Sequence, residues 1–477
     1  MGQGLDPGSS DCHGGVKSLP RMSAHASRHF VPPRPAIPEH SPGWYGLLVA
    51  LRTNALQIWP REAYTNDVLE QSFFGRKRFL LNAPEAIHHV LVDHIANYRR
   101  TPAAIRILRP IVGEGLILSE GEEWRHQRRT IAPTLAPRVI PMLARHVAGA
   151  AQEAIARLAG ATQPVDILAA MQFLALEIAA RSMFSLEMHR YGPALRRMIK
   201  EFGISLGRPY FLDLMLPLGV PSWRDLARRR FCRRWIALMD EIVAARLREP
   251  ASDQPRDLFD ALLAARDPET GAAFSQAQLR DQMATMIVAG HETTALTLFW
   301  SLYLLASAPT EQSRLAQEVR DIDLSIEAAG AALPKLPYTR AVVNEVLRLY
   351  PPAAAIARGS VATDYVAGAT IPGGSLIMIS PWVLHRHANL WSDPESFDPS
   401  RFLDNKPPAH RFAYMPFGAG PRICVGAQFA LAEAGLVLAM LVQRFEFTLA
   451  DDVPVLPITV ITTQPDHAVL FRLRSRG

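Results

Sequence analysis

The stretch MPFGAGPRICVG, from Met415 to Gly426, sets one cysteine among glycines, an arginine and apolar side chains. Gly418 and Gly420 permit tight turns and close approach of the backbone to a flat ligand, and Pro421 stiffens the run before Cys424. The helical pattern VGAQFALAEAGLVLAMLVQRF follows, so the sulfur should lie near a helix N-terminus, where the dipole favours a thiolate. A thiolate held alone suits an axial iron ligand better than a tetrahedral zinc site, which needs four ligands. Phe417 could shield the sulfur, and Arg422 could meet an anionic group of the ligand. For a lone cysteine the competing reading is a structural thiol buried in a turn.

Two other stretches carry chemistry. In AGHETT, Ala289 to Thr294, Gly290 weakens a helix interior and a threonine hydroxyl bonded back toward Ala289 opens the helix locally, leaving a notch beside Glu292. His291 and Glu292 also begin an H-E-x-x-H zinc pattern, which fails because Ala295 stands at its last position. GEEWRHQRR puts Trp124 and Arg128 on one side of a helix; by itself it reads as a solvated basic helix.

These residues need long helices to position them. Apolar periodicity recurs in RVIPMLARHVAGAAQEAIARLAG, DILAAMQFLALEIAARSMFSLE, WRDLARRRFCRRWIALMDEIVAARLRE and SQAQLRDQMATMIVAGHETTALTLFWSLYLLASA. The last predicts a helix opened by Ser275, crossing the core and ending near Ser307, before the break at Ala308 and Pro309. RKRFLLN predicts a strand feeding the helix APEAIHHVLVD, and ATIPGGSLIMIS predicts a hairpin turning at Gly373 and Gly374. The expected fold class is mainly α with a minor β-sheet region. Residues 1–41, rich in Gly, Ser, Pro and His, are expected to be a flexible leader, and residues 42–477 a single catalytic domain.

The full spacing F-x-x-G-x-R-x-C-x-G is filled by Phe417, Gly420, Arg422, Cys424 and Gly426, and here the chain resembles the cytochrome P-450 superfamily, in its soluble, bacterial-type form. AGHETT, NEVLRLYPP and GEEWRHQRR match further segments of that family, and the likeness runs from about residue 40 to the end. It implies haem b held between the long central helix and the cysteine loop, with Cys424 as the axial ligand of its iron. It places Trp124, Arg128, Ala289, Gly290, Arg358, Phe417, Gly418, Arg422 and Gly426 around that cofactor, and gives Glu292 and Thr293 the relay of protons. The family links Glu345 and Arg348 to an arginine of a later segment; here FDPSRF supplies Arg401 and carries Ser400 where the family has glutamate. By family position, Ile117, Met286, Ala289, Ile356 and Ile461 are candidates for the substrate pocket. The activity implied is insertion of one oxygen atom from O2 into a small apolar substrate. Its electrons would come from NAD(P)H through a reductase and a separate ferredoxin or flavodoxin-like donor, to which Arg125, His126 and Arg129 could present a basic face. The rivals are a haem-thiolate peroxygenase or isomerase, against which the intact Glu292 and Thr293 argue, and a non-enzymatic haem sensor or electron carrier.

Composition narrows the alternatives. With 51 basic and 45 acidic residues interspersed along 477 positions, a net charge of +6 gives no segregated patch for nucleic acid. Cys12, Cys232 and Cys424 are odd in number and far apart, which fits a reducing compartment and a cytoplasmic location. GWYGLLVALRTNALQIW is interrupted by Arg52 before it could cross a bilayer. The apolar lip Tyr210 to Val220 reads as packing of an entrance channel, with peripheral contact to a membrane surface as the alternative.

Overall fold

The computed structural model describes residues 29–73, 75–185, 188–250, 254–403 and 410–476. Cys12 and the first 28 residues of the expected leader lie outside them. Residues 29–41 run along the surface without regular structure and are tied down: Phe397 N donates to Phe30 O at 2.8 Å, Arg34 pairs with Glu395 and Arg61 with Glu39.

Helices Ile140–Ala159, Ile167–Phe184, Trp223–Leu247, Gln276–Ser307 and Ala427–Arg444 form the body. The central helix Gln276–Ser307 begins where the sequence puts it, because Ser275 and Gln278 close a reciprocal capping box (Gln278 N to Ser275 Oγ 3.2 Å; Ser275 N to Gln278 Oε1 2.9 Å). It packs along Ile167–Phe184, and from Leu296 to Leu305 nearly every side chain is buried. Such an all-round apolar helix is a core element. Ile167–Phe184 and Ala427–Arg444 are each long and apolar enough to cross a membrane, but 67% and 56% of their residues are buried inside the protein. The cysteine helix Ala427–Arg444 packs against the central helix and Ile140–Ala159, and Phe429 in its first turn touches two of the three apolar cores.

The largest sheet has five strands in the order Val68–Phe73, Arg76–Leu81, Leu376–Ile379, Ile356–Ser360 and Tyr98–Arg99. This corrects the hairpin expected around Gly373 and Gly374. Ala369–Ile371 pairs with Asp364–Val366 instead, through a turn whose Ala367 and Gly368 both have positive φ (49° and 81°). Leu376–Ile379 leaves to lie parallel to Arg76–Leu81 and antiparallel to Ile356–Ser360. Two positive φ values in succession make the mirror-image turn that suits a two-residue hairpin. The sheet registers Arg99 opposite Gly359, so Arg100 follows beside Arg358 at the sheet's rim.

Candidate functional site

Ala289 is exposed in the middle of the otherwise buried central helix, and a Cβ built at Gly290 would meet nothing within 4 Å. Small side chains thus leave an open recess against this turn. Thr293 Oγ1 donates to Ala289 O at 2.6 Å, the bond expected from the sequence, yet the helix stays continuous from Gln276 to Ser307. The notch is therefore made by missing side-chain volume, not by a broken ladder. Ala353 and Ala355 are also exposed, alternating with buried Ala354 in an extended segment.

Cys424 keeps exposed surface on one side and is enclosed by protein on the others, and its amide donates to Phe417 O at 2.9 Å, closing the loop on itself. Gly418 and Gly420 hold positive φ of 74° and 71°, and a Cβ at Gly420 would come within 2.3 Å of Leu91 O, so glycine is required there. The sulfur precedes the helix starting at Ala427, and the Gly426 amide and the Arg128 charge favour its thiolate. Burial by the surrounding protein outweighs both and pushes the thiol above its ordinary value.

Trp124 and Arg128, on the helix Gly121–Ile131, face this loop: Arg128 Nη1 donates to Ile423 O at 2.8 Å, and the Arg422 guanidinium lies 4.5 Å from the Trp124 ring centroid. Arg422 also donates to Ser119 O (3.0 Å) and Glu120 Oε2 (2.7 Å). Arg358, buried on its strand, reaches only its neighbour's carbonyl, Ala357 O, at 2.9 Å. Arg100, which the sequence reading missed, has a buried Nε with no partner. Burial, compounded by the positive charges of Arg358 and Arg422, pulls Arg100 down to about 9; burial and Arg422 pull Arg358 down to about 10. Three guanidiniums face one another with Glu120 as the acid acting on them, an excess of positive charge that calls for an anionic ligand. A strand end carrying one arginine among many gave no pattern by which Arg100 could be found.

Glu292 Oε1 accepts from Thr462 Oγ1 (2.9 Å) and Gln464 Nε2 (3.0 Å), residues of the C-terminal hairpin Pro457–Thr459 and Thr463–Pro465 and its tip. That hairpin is fastened to the core by Trp300 Nε1 to Thr463 O (2.9 Å) and Thr463 Oγ1 to Pro351 O (2.7 Å). Burial raises the Glu292 carboxyl above its ordinary value, with the Thr462 bond opposing. Among the pocket candidates, Met286 is buried, Ile117 and Ile356 are half-buried, and Ile461 is 38% exposed at the hairpin tip. Ile117 follows a segment pinned to the central helix by Glu114 N to Asp281 Oδ2 (2.9 Å) and Leu116 N to Gln282 Oε1 (3.0 Å).

Glu345, Arg348 and Arg401 come together. Arg348 grips Glu345 with two bonds of 2.7 and 2.8 Å, both side chains fully buried, and Arg401 Nε lies 3.5 Å from Glu345 Oε1. His385, absent from the sequence reading, carries this network to the cysteine loop. Its Nε2 accepts from the Met415 amide (3.0 Å), which places its proton on Nδ1, toward Arg348 O (3.1 Å). Burial, aided by the Arg348 charge, lowers it to about 3.

The basic face expected of Arg125, His126 and Arg129 does not form. His126 (2.8 Å) and Arg129 (3.0 Å) both turn to Asp267, a carboxylate with no exposed side-chain area, and Arg125 pairs with Glu122. A run of cations in sequence meets its acids only when a distant loop folds onto it.

An exposed thiol on a glycine loop, a cationic cluster that includes Arg422 of that loop, and an open turn in the central helix are the parts of a site of the haem-protein class. The chain belongs to the cytochrome P450 family, whose model matches residues 47–470. It is 33% identical over 424 residues to a cyclooctat-9-en-7-ol 5-monooxygenase of Streptomyces melanosporofaciens, covering 87% of this chain and 90% of that one. It is 31% identical to a cytokinin hydroxylase of Arabidopsis thaliana, covering 83% and 79%. The crystal structure of the cytochrome P450DA haem domain superposes with a TM-score of 0.79 at 24% identity, covering 94% of this chain and 98% of that one. The protein is a cytochrome P450 monooxygenase of a haem-binding family. Its residues fit that cofactor: one exposed thiol, open space over Gly290 of the central helix, and arginines largely withdrawn from water and short of carboxylates.

Proposed function

We propose that this chain inserts one oxygen atom into an apolar, ring-containing substrate, drawing two electrons from a separate ferredoxin or flavodoxin-like donor fed by an NAD(P)H-dependent reductase. The observation carrying this reading is the exposed Ala289 beside the open space over Gly290 in an otherwise buried helix, in a chain whose Cys424 is exposed and whose arginine cluster is short of anions. Haem, when bound, supplies oxygen activation at an iron held by one thiolate. Cys424 would give that thiolate, and Arg100, Arg358, Arg422, Arg128 and Trp124 would hold the propionates. Phe417, Gly418 and Gly426 would shape the loop around the sulfur.

Thr293 and Glu292 would move protons. Because Glu292 Oε1 accepts two hydrogen bonds, a proton on this carboxyl resides on Oε2, and burial keeps it there closer to neutral pH. Thr293 Oγ1, bonded to Ala289 O, keeps lone pairs to accept from a water molecule in the notch. Ala289, Met286, Ile117, Ile356 and Ile461 would offer the substrate apolar contacts, and the small side chains Ala353 and Ala355 leave room for a ring system. The similarity to a monooxygenase named for a cyclic alkene alcohol supports that size class.

The test is the carbon monoxide difference spectrum of the reduced protein. A strongly red-shifted Soret band, lost in Cys424→Ser, is the expected result; haem bound without that shift in the wild type would remove Cys424 from the iron. Thr293→Ala should then divert electrons from product to peroxide, and unchanged coupling would take Thr293 out of the relay.

Location is proposed as cytoplasmic with peripheral contact to a membrane surface. Trp44, Tyr45, Trp223 and Leu226 are each more than 60% exposed. Between the helix Trp44–Thr53 and the short helix Phe211–Met215 lies a cavity of about 190 Å³ lined by Leu48, Leu51, Tyr210, Phe211 and Leu214, with Arg52 and Arg224 over the Tyr210 ring. Retention on anionic liposomes, lost in Trp223→Ser/Leu226→Ser, is the expected outcome; equal retention of both proteins would refute the contact.

A further inference from the structure

Near the two-stranded hairpin Asp364–Val366 and Ala369–Ile371, His89, His94 and Asp364 bring their ligand atoms within 4.8 Å of one another. His89 Nε2 lies 2.9 Å and His94 Nδ1 3.6 Å from the same oxygen, Asp364 Oδ2. The two imidazoles are stacked, with centroids 3.9 Å apart and planes 19° from parallel. The carboxylate is fixed from behind: Oδ1 accepts from the Tyr365 amide at 2.8 Å and Oδ2 from the Tyr98 hydroxyl at 2.8 Å. Burial works against its charge, but bonds from His89, Tyr98 and the Tyr365 amide hold it down at about 2, so it is ionised throughout the physiological range.

Hydrogen bonding alone leaves this arrangement incomplete. Oδ2 has two lone pairs, taken by Tyr98 and His89. His94 Nδ1, at 3.6 Å, is too far for a hydrogen bond and points at an oxygen already occupied. Replacing the His89 proton by a cation, with the exposed His94 ring turned out of its stack so that its Nδ1 lone pair converges on the same point, uses both nitrogens and the oxygen together. A tetrahedral ion with bonds of about 2.0–2.1 Å sets neighbouring ligand atoms about 3.3–3.4 Å apart, and the observed 2.9 and 3.6 Å straddle that edge. His94, with 49% of its side chain exposed, leaves a side open for water as fourth ligand. Two imidazoles and one carboxylate suit zinc, copper or nickel; magnesium and calcium call for oxygen ligands throughout.

We propose that His89, His94 and Asp364 form a binding site for a borderline divalent transition-metal ion such as Zn2+. The site spans the turn His89–Asp93, whose Leu91 carbonyl is the atom against which Gly420 of the cysteine loop is packed. An ion there ties that turn to the hairpin strand Asp364–Val366 and braces the backing of the loop.

Tag-free, haem-loaded protein titrated with Zn2+ against a chromophoric chelator, with Mg2+ as the control ion, tests this. The expected result is one Zn2+ per chain with micromolar affinity, and no competition by Mg2+. His94→Ala should weaken Zn2+ by about tenfold or more, with the carbon monoxide spectrum and the zinc-free melting temperature unchanged, because His94 makes no hydrogen bond with the carboxylate. Asp364→Asn should weaken it likewise. The double variant His88→Ala/His410→Ala, which removes neighbouring surface histidines, should bind as the wild type does. Equal affinity in wild type and His94→Ala, or a loss confined to the His88/His410 variant, would overturn the site.

Discussion

Arg348 and the cluster of Arg100, Arg358 and Arg422 are both largely withdrawn from water, and their surroundings differ. Arg348 is fully buried and satisfied: two bonds to Glu345, and further bonds to His385 O (2.9 Å), Pro394 O (2.6 Å) and Ser396 O (2.8 Å). Arg100, Arg358 and Arg422 are drawn together around Glu120, and Arg100 keeps a buried nitrogen with no partner. A buried charge with every donor matched holds a fold together, whereas buried like charges left short of anions store unfavourable energy that a ligand can relieve. The first group is architecture, and we propose the second as the seat of the propionates.

The sharpest way to break this contrast is to strike each group in turn. Arg348→Met should cost about 3–5 kcal/mol by stranding the Glu345 carboxylate, a large part of the stability of a folded domain; little soluble protein is expected on expression. An Arg348→Met protein that melts within a few degrees of wild type would erase the distinction. Arg358→Leu should do the opposite. The haem-free protein keeps or gains thermal stability, while haem affinity falls about tenfold to a hundredfold, the worth of a charged hydrogen bond. Apo- and holo-protein melts with haem transfer to apomyoglobin measure both; loss of apo-stability with unchanged haem transfer would place Arg358 with the structural group.

A third buried charge sharpens the comparison by pH. Glu433, under the central helix with only a long 3.4 Å contact from Thr294, is pushed by burial up to about 8. Its folded pKa exceeds the unfolded one, so its contribution to stability is complete below the unfolded value near 4.5 and is lost as pH rises through about 8. Stability should fall by up to about 1.4 kcal/mol per pH unit across that window, and Glu433→Gln should flatten the slope of melting temperature between pH 5.5 and 8.5 on the order of completely. A slope unchanged in the variant would assign the pH dependence elsewhere. The smallest effect belongs to the surface: Arg125, 55% exposed beside Glu122, should change stability by less than about 0.5 kcal/mol when replaced by Ala. In salt titrations of the reduction rate, Arg125→Ala and Arg129→Ala should differ little from wild type, since both cations already have acidic partners.

Features written in a few adjacent residues were legible. Ser275 and Gln278 cap the central helix, Pro309 follows its end, and its apolar length requires the core. The cysteine loop, the Ala289–Thr293 turn and the Glu345–Arg348 pair each lie within a single local spacing, so types and intervals alone fixed their geometry and pointed to the family. What the sequence left open involved partners far along the chain. The Gly373–Gly374 turn looked like a hairpin, but strand pairing is a choice among distant edges, and Leu376–Ile379 found two better ones in the five-stranded sheet. Arg129 and His126 read as a free basic face until Asp267, more than a hundred positions away, folded onto them. Arg100, His385, Thr462 and Gln464 acquire meaning only beside Arg358, Met415 and Glu292. Local spacing sets which helix forms and what a loop can ligate, because helical bonds span four residues; which charges are matched, and which are left for a ligand, is settled only when the core brings remote segments into contact.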